Sequence, residues 1–121
     1  MGLDFAGWDD VDWKDAPRWG YLGFHRFRKK LASSVGIAID GMVGFGGSTE
    51  WPDPCNEPLV YLLNHSDCDG DLTPQQCQAI IPRLRDILLT FDLQDWDRIQ
   101  GERLVRGMEK CASQHKRLVF C

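Results

Sequence analysis

NHSDCDGDLTPQQ, residues 64–76, lies between two apolar segments at 59–63 and 77–89, and so reads as a loop clamped between two helices. With Gly70 at the sharp-turn position of a twelve-residue calcium loop, Asp67 and Asp69 fall at positions 3 and 5. Asp71 then offers its backbone carbonyl at position 7, apolar Leu72 follows, and Thr73 stands at position 9. The two ends depart from that pattern. His65 stands at position 1 in place of an aspartate, and Gln76 at position 12 in place of the glutamate that supplies two oxygens. The candidate ligands are therefore His65, Asp67, Asp69, Asp71, Thr73 and Gln76, and with so few carboxylates any calcium affinity is expected to be weak.

The same residues carry a second reading that needs no metal. Thr73-Pro74-Gln75-Gln76 is a capping box, with Thr73 at the N-cap, Pro74 opening the helix and Gln76 reaching back. The three aspartates precede that helix N-terminus, where negative charge is favoured, and Asp69-Gly70 is turn chemistry. A third reading takes His65, Cys68 and Cys77, with Cys55 upstream, as zinc ligands. Their spacing matches no paired zinc knuckle, and Cys77 falls on the apolar stripe of the next helix, where a free cysteine behaves as a small hydrophobe. Calcium is thus the leading cofactor candidate and zinc the lesser one.

The remaining composition bounds the setting. A chain of 121 residues that is 43% apolar and 26% charged has the makings of one globular domain, 1–121. A net charge of −4 argues against nucleic acid as a partner. Five cysteines without framework spacing, and an acidic N-terminus without a secretory signal, point to reduced thiols in a cytoplasm. No apolar run reaches the length needed to cross a bilayer, which leaves the membrane out as a partner.

Outside the loop, segment 1–18 is acidic and aromatic and reads as irregular, with Trp8 and Trp13 as contact candidates and a short strand within 1–5. Phe24, Phe27, Leu31 and Val35 recur at helical spacing, and Gly36 ends that helix. His25, Arg26, Arg28, Lys29 and Lys30 fill the other, solvated face, from which Arg26 and Lys29 are candidates to meet a partner. The glycine-rich stretch 36–55 has no phosphate-loop lysine, and it brings Phe45 and Trp51 forward as further contact residues. Asn56 is placed to cap a short helix from about Pro58, which opens a helix–loop–helix over 56–91. Pro82 predicts a kink or break in the exit helix, Asp95 or Asp97 starts the last helix, and Gly101 and Gly107 weaken it. Residues 118–120 are a terminal strand expected to pair with 3–5.

The three histidines sit in no nucleophile constellation, and an acidic surrounding raises rather than lowers the Cys68 thiol pKa. The chain therefore leans away from being an enzyme, with a small metal-assisted hydrolase using Asp67, Asp69 and Asp71 as the catalytic alternative. The stretches LLNHSDCDGDLTPQQC at 62–77, WGYLGFHRFRKKLA at 19–32 and GFGG at 44–47 resemble a family of small actinobacterial and phage proteins that share the NHSDCDG loop. That resemblance brings no established activity. It implies that relatives with glutamate where Gln76 stands would complete the calcium position, and that His65 is structural. A phage origin would make inhibition of a host or defence protein the natural role. These readings together give a mainly helical α+β fold: about four helices around a degenerate EF-hand-like helix–loop–helix, with short terminal strands. The function expected is a protein-binding or regulatory module, with a calcium- or zinc-binding protein as the rival.

Overall fold

Apolar residues recurring every three to four positions build three long helices, and their stripes meet in one core. The structure, a computed structural model, describes residues 2–3, 5–6, 19–65 and 70–120. In chain order these are β1 (Gly2–Leu3), β2 (Phe5–Ala6), β3 (Trp19–Gly20), α1 (Tyr21–Ser34), a 3₁₀ turn (Ile39–Gly41), α2 (Val60–Leu63), β4 (Asp71–Leu72), α3 (Pro74–Leu88), α4 (Trp96–Ser113) and β5 (Leu118–Phe120). The fold is mainly helical α+β. Among the described residues no helix is long and apolar enough to cross a membrane.

Helix α1 buries Phe24, Phe27 and Leu31 completely. It closes through Gly36 N–H to Ser33 O (3.2 Å) and Ile37 N–H to Ala32 O (2.8 Å), the paired bonds that satisfy the last carbonyls of a helix. Helix α3 opens with the expected capping box: Thr73 Oγ1 accepts from Gln76 N–H (3.1 Å), and Gln76 Oε1 accepts from Thr73 N–H (2.9 Å). It runs unbroken through Pro82, so of the kink or break expected there the break does not occur. The carbonyl that Pro82 cannot serve belongs to Gln78, and both residues are exposed, so the missing bond falls on the solvent side of the helix rather than in the core.

Asp95 caps α4 by accepting from Asp97 N–H (2.9 Å). Gly101 of that helix is not merely a weak helix former. A Cβ there would lie 2.6 Å from Leu88 Cδ2 and 3.2 Å from Phe27 Cζ, so the glycine sets how closely α4 approaches α3 and α1. Gly101→Ala gains about 1 kcal/mol of helix propensity and loses about 1–3 kcal/mol to overpacking. The expected result is a net loss, read from the urea midpoint.

Two tethers fix α1 against the start of α4. Trp19 Nε1–H donates to Asp97 Oδ1 (3.2 Å), and Lys30 Nζ lies 2.8 Å from Asp97 and 3.1 Å from Asp95. The Asp97 carboxylate, with Asp95 behind it, holds the Lys30 ammonium above its ordinary 10.5. The Asp97 backbone N–H, with Lys30 behind it, holds the Asp95 carboxyl below its ordinary 3.8. A depressed carboxyl stabilises above its unfolded pKa and loses that contribution as pH falls; a raised ammonium stabilises below its own and loses it as pH rises. Stability is therefore expected to fall by under about 1 kcal/mol, since the pair is solvent-accessible, below pH about 4 and again above pH about 10. Denaturation midpoints across pH check this: Lys30→Met is expected to remove the alkaline wing and only to shrink the acid one, whose main source, the Asp97 N–H, stays in place.

The strands are short. β1 pairs with β3 (Gly2 with Gly20, Leu3 with Trp19). β5 is the centre of a three-stranded antiparallel sheet, β2-β5-β4. The terminal strand thus pairs with Phe5–Ala6, while Leu3 turns to Trp19, so the expected 3–5 pairing holds at Phe5 and is corrected at Leu3. Its other neighbour, β4, comes from the loop itself.

A second correction concerns α2. It begins at Val60, and Asn56 does not cap it. Asp53 organises that turn instead, its carboxylate accepting from Cys55 N–H (2.9 Å) and its carbonyl from Asn56 N–H (2.9 Å) and Glu57 N–H (3.0 Å). With prolines at 52, 54 and 58, the chain cannot supply a continuous helical ladder before Val60.

Candidate functional site

The loop between α2 and α3 has the backbone that the calcium-loop register requires at its turn, since Gly70 adopts φ +85°, a region that glycine enters without penalty. The described side chains around it are each engaged within the protein. His65 Nε2 lies 3.0 Å from the Asp71 carbonyl oxygen. A carbonyl only accepts, so Nε2 carries the proton and donates it. That oxygen is the one the loop register offers to a cation at position 7. The Asp71 carboxylate turns outward to Arg117 Nη1 (3.0 Å), and Thr73 and Gln76 are spent on the capping box. Asp71 and Leu72 then form β4 against Val119 and Leu118, with Leu72 and Leu118 both buried.

Arg28 supports the loop from below. The sequence assigns it to the solvated face of α1, whereas the structure leaves it only 2% exposed. Its Nη1 donates to the carbonyls of Leu63 (3.3 Å) and His65, and its guanidinium lies over the rings of Phe24 (4.7 Å) and Phe45 (5.5 Å). A short helix leaves its last carbonyls without intrahelical partners. The planar, multiply donating guanidinium meets two carbonyls from this end of the chain at once.

Of the expected ligands, the structure therefore brings His65, Asp71, Thr73 and Gln76 together as mutual supports of one loop. Asp67 and Asp69 lie outside the described residues, as do Cys68, Trp8 and Trp13. Among the described residues, no group of three or more His, Cys, Asp or Glu side chains is placed to hold a metal ion. Of the other zinc candidates, Cys55 is exposed on the Asp53 turn, and Cys77 is fully buried. Burial pushes the Cys77 thiol up to about 12 and that of Cys111 to about 11, away from the thiolate that nucleophilic attack requires.

The remaining contact candidates form a second region across α1 and the glycine-rich stretch. Phe45 and Trp51 meet edge to face at 5.6 Å, and Trp51 Nε1–H donates to Val43 O (2.9 Å). His25 stacks beside Phe45 at 6.3 Å. Gly47 packs directly on the Gly41 backbone, where no Cβ would fit, and this closes the loop between the two aromatics and the 3₁₀ turn. Arg26 is exposed on α1, and Lys29 pairs with Asp40 at 2.8 Å. Lys29 first, and His25 after it, hold the Asp40 carboxyl below its ordinary 3.8.

Sequence reasoning missed Arg28 and Arg117 as supports of the loop. It also missed an apolar corner at the α3–α4 connection, where Leu89, Leu93, Trp96 and Ile99 are 68%, 73%, 59% and 37% exposed. The arrangement defines a helix-rich α+β fold in which the described ends of the loop, His65 and residues 70–76, are bonded to the protein itself. No family model matches the chain, and neither a curated protein nor a solved structure matches it.

Proposed function

We propose that the chain is a small protein-binding module, with the 65–76 loop as a structural staple and the contact surface on the aromatic, basic side of α1. The observation that carries this reading is the Phe45–Trp51 pair, held half-buried at the surface with the indole N–H already bonded to Val43. Aromatic side chains fixed in this way present large contact area at low entropic cost, as interface anchors do. Arg26 and Lys29, both exposed on α1, suit an acidic partner, Lys29 by exchanging its Asp40 partner for one. The resemblance to phage proteins makes a host or defence protein the partner to test first. The test is affinity for a partner captured with the wild-type chain and then purified. Trp51→Ala and Arg26→Glu are expected to weaken it by about tenfold or more with an unchanged circular dichroism spectrum. Undiminished affinity in both variants overturns the reading.

The staple has its own test. His65→Ala removes the only described side chain bonded to the Asp71 carbonyl and is expected to cost about 1–2 kcal/mol, a drop of several degrees in Tm. Calcium in excess over chelator is expected to move the wild-type Tm by no more than about 1 °C. A larger, calcium-specific rise would replace the staple with the calcium-binding alternative.

A further inference from the structure

The basic side of α1 already holds a carboxylate, and it is the chain's own. Asp40 Oδ2 lies 2.8 Å from Lys29 Nζ, and its Oδ1 lies 3.2 Å from His25 Nε2. Those two side chains stand one turn apart on α1, and Ser33 follows one turn further along the same face. His25 stacks beside Phe45 at one end of this row. At the other end lies a hollow of about 390 Å³, with Lys29 and Ser33 on its helix side and residues 36–40 opposite. From His25 to Ser33 the row runs about 12 Å along the helix, the reach of about four extended residues.

The hollow is fixed by backbone, and the carboxylate beside it is not. Gly36 N–H and Ile37 N–H bond back to the Ser33 and Ala32 carbonyls, and buried Ile39 anchors the opposite wall in the core. The turn that carries Asp40 is closed by Gly41 N–H to Ala38 O (3.0 Å) and Met42 N–H to Ile39 O (3.1 Å). These bonds do not involve the Asp40 side chain, which is 58% exposed and meets a Lys29 that is 49% exposed. Such an ion pair contributes little, and its opening leaves the backbone bonds of the turn intact. The row then presents a cationic centre, with exposed Arg26 beside it on α1, between the Phe45 ring and the half-buried Ile37. Its charge selects a carboxylate, and its two ends select apolar neighbours of that carboxylate.

We propose that this row binds a short, extended acidic segment of a protein partner. An aspartate or glutamate of that segment takes the place of Asp40 on Lys29 and His25, and an apolar side chain next to it enters the hollow. Asp40 is then a built-in competitor that holds the site closed until the partner arrives. This rests on the binding-module reading above and names the part of the partner that is recognised.

Nuclear magnetic resonance titration of the full chain with the peptide acetyl-Phe-Glu-Ala-Leu-amide tests it, beside the same peptide with glutamine for glutamate. The glutamate peptide is expected to shift the resonances of His25, Lys29, Ser33 and residues 37–39, and the glutamine peptide to bind several-fold more weakly. Asp40→Asn is expected to bind the glutamate peptide about three- to fivefold more tightly, the scale of one exposed ion pair released. Lys29→Ala is expected to lose most of the binding, with melting curves showing both variants folded. Equal affinity for the two peptides overturns the proposal, as does an absence of shifts at millimolar peptide, and neither result depends on a variant. An Asp40→Asn chain that binds no more tightly removes Asp40 as a competitor. If Trp51→Ala and Arg26→Glu weaken a captured partner while both peptides bind equally, the contact surface stands and only the acidic segment is overturned.

Discussion

Replacing Arg28 with alanine is expected to lower stability by about 4 kcal/mol, the scale on which removal of one partner from a buried charged interaction acts. The loss has two sources of similar weight. One is the cavity left between the Phe24 and Phe45 rings, over which the guanidinium lies. The other is the pair of carbonyls, Leu63 and His65, that lose their donor where the chain leaves α2. Buried ionic groups can often be exchanged for hydrophobic ones without loss, because both partners go together. Here the partners are backbone carbonyls and stay behind. Arg28→Met, which restores most of the packing, is therefore expected to recover less than half of the loss. Arg28→Lys keeps the charge but presents a single point donor, and should fall between Met and wild type. Urea unfolding of the three variants decides the matter. A methionine variant as stable as the wild type would reduce Arg28 to a packing residue and remove it as a support of the loop.

Arg28 also shows where the sequence was readable and where it was not. It stands four residues after Phe24 and three before Leu31, within the stripe that faces the core. Its position was legible, but its chemistry misleads, because a charged residue is assigned outward unless a partner for it is in view. That partner is backbone thirty-five residues away, which no local pattern encodes. Features set by short-range rules were readable: the Thr73–Gln76 capping box, the positive φ of Gly70, the Asp95 cap and the buried stripe of α3. The loop is the mixed case. Its glycine turn and its exit helix follow from spacing alone. Its closure does not, since β5 is recruited from the far end of the chain to pair with Asp71 and Leu72, and Arg117 arrives with it. The α3–α4 corner escaped for a related reason. Leu89, Leu93 and Trp96 are apolar residues in or beside a connection, and only the packed helices show that nothing described in the fold covers them.

The second large effect is expected at Phe27, where alanine should cost about 4 kcal/mol. The ring is fully buried, stacks on Trp19 at 4.6 Å and takes the edge of Phe91 at 6.5 Å. Trp19 is tied to Asp97 at the head of α4, and Phe91 lies in the connection that leads to it, so the ring sits where α1 meets both ends of that turn. Side chains fixed on several sides collapse poorly into a void, which places the cost in the upper part of the range for aromatic truncation. The glycine opposite offers an internal check. Part of the penalty for Gly101→Ala arises from the Phe27 ring edge 3.2 Å from the new methyl, and the rest from Leu88 at 2.6 Å. With the ring removed, the first part vanishes and the methyl fills some of the void. The double variant is therefore expected to be more stable than the sum of the two single losses predicts, by about 1 kcal/mol. Strict additivity in that cycle would mean that α4 is held off α1 by Leu88 alone, and that the close approach at Gly101 serves the α3–α4 contact only.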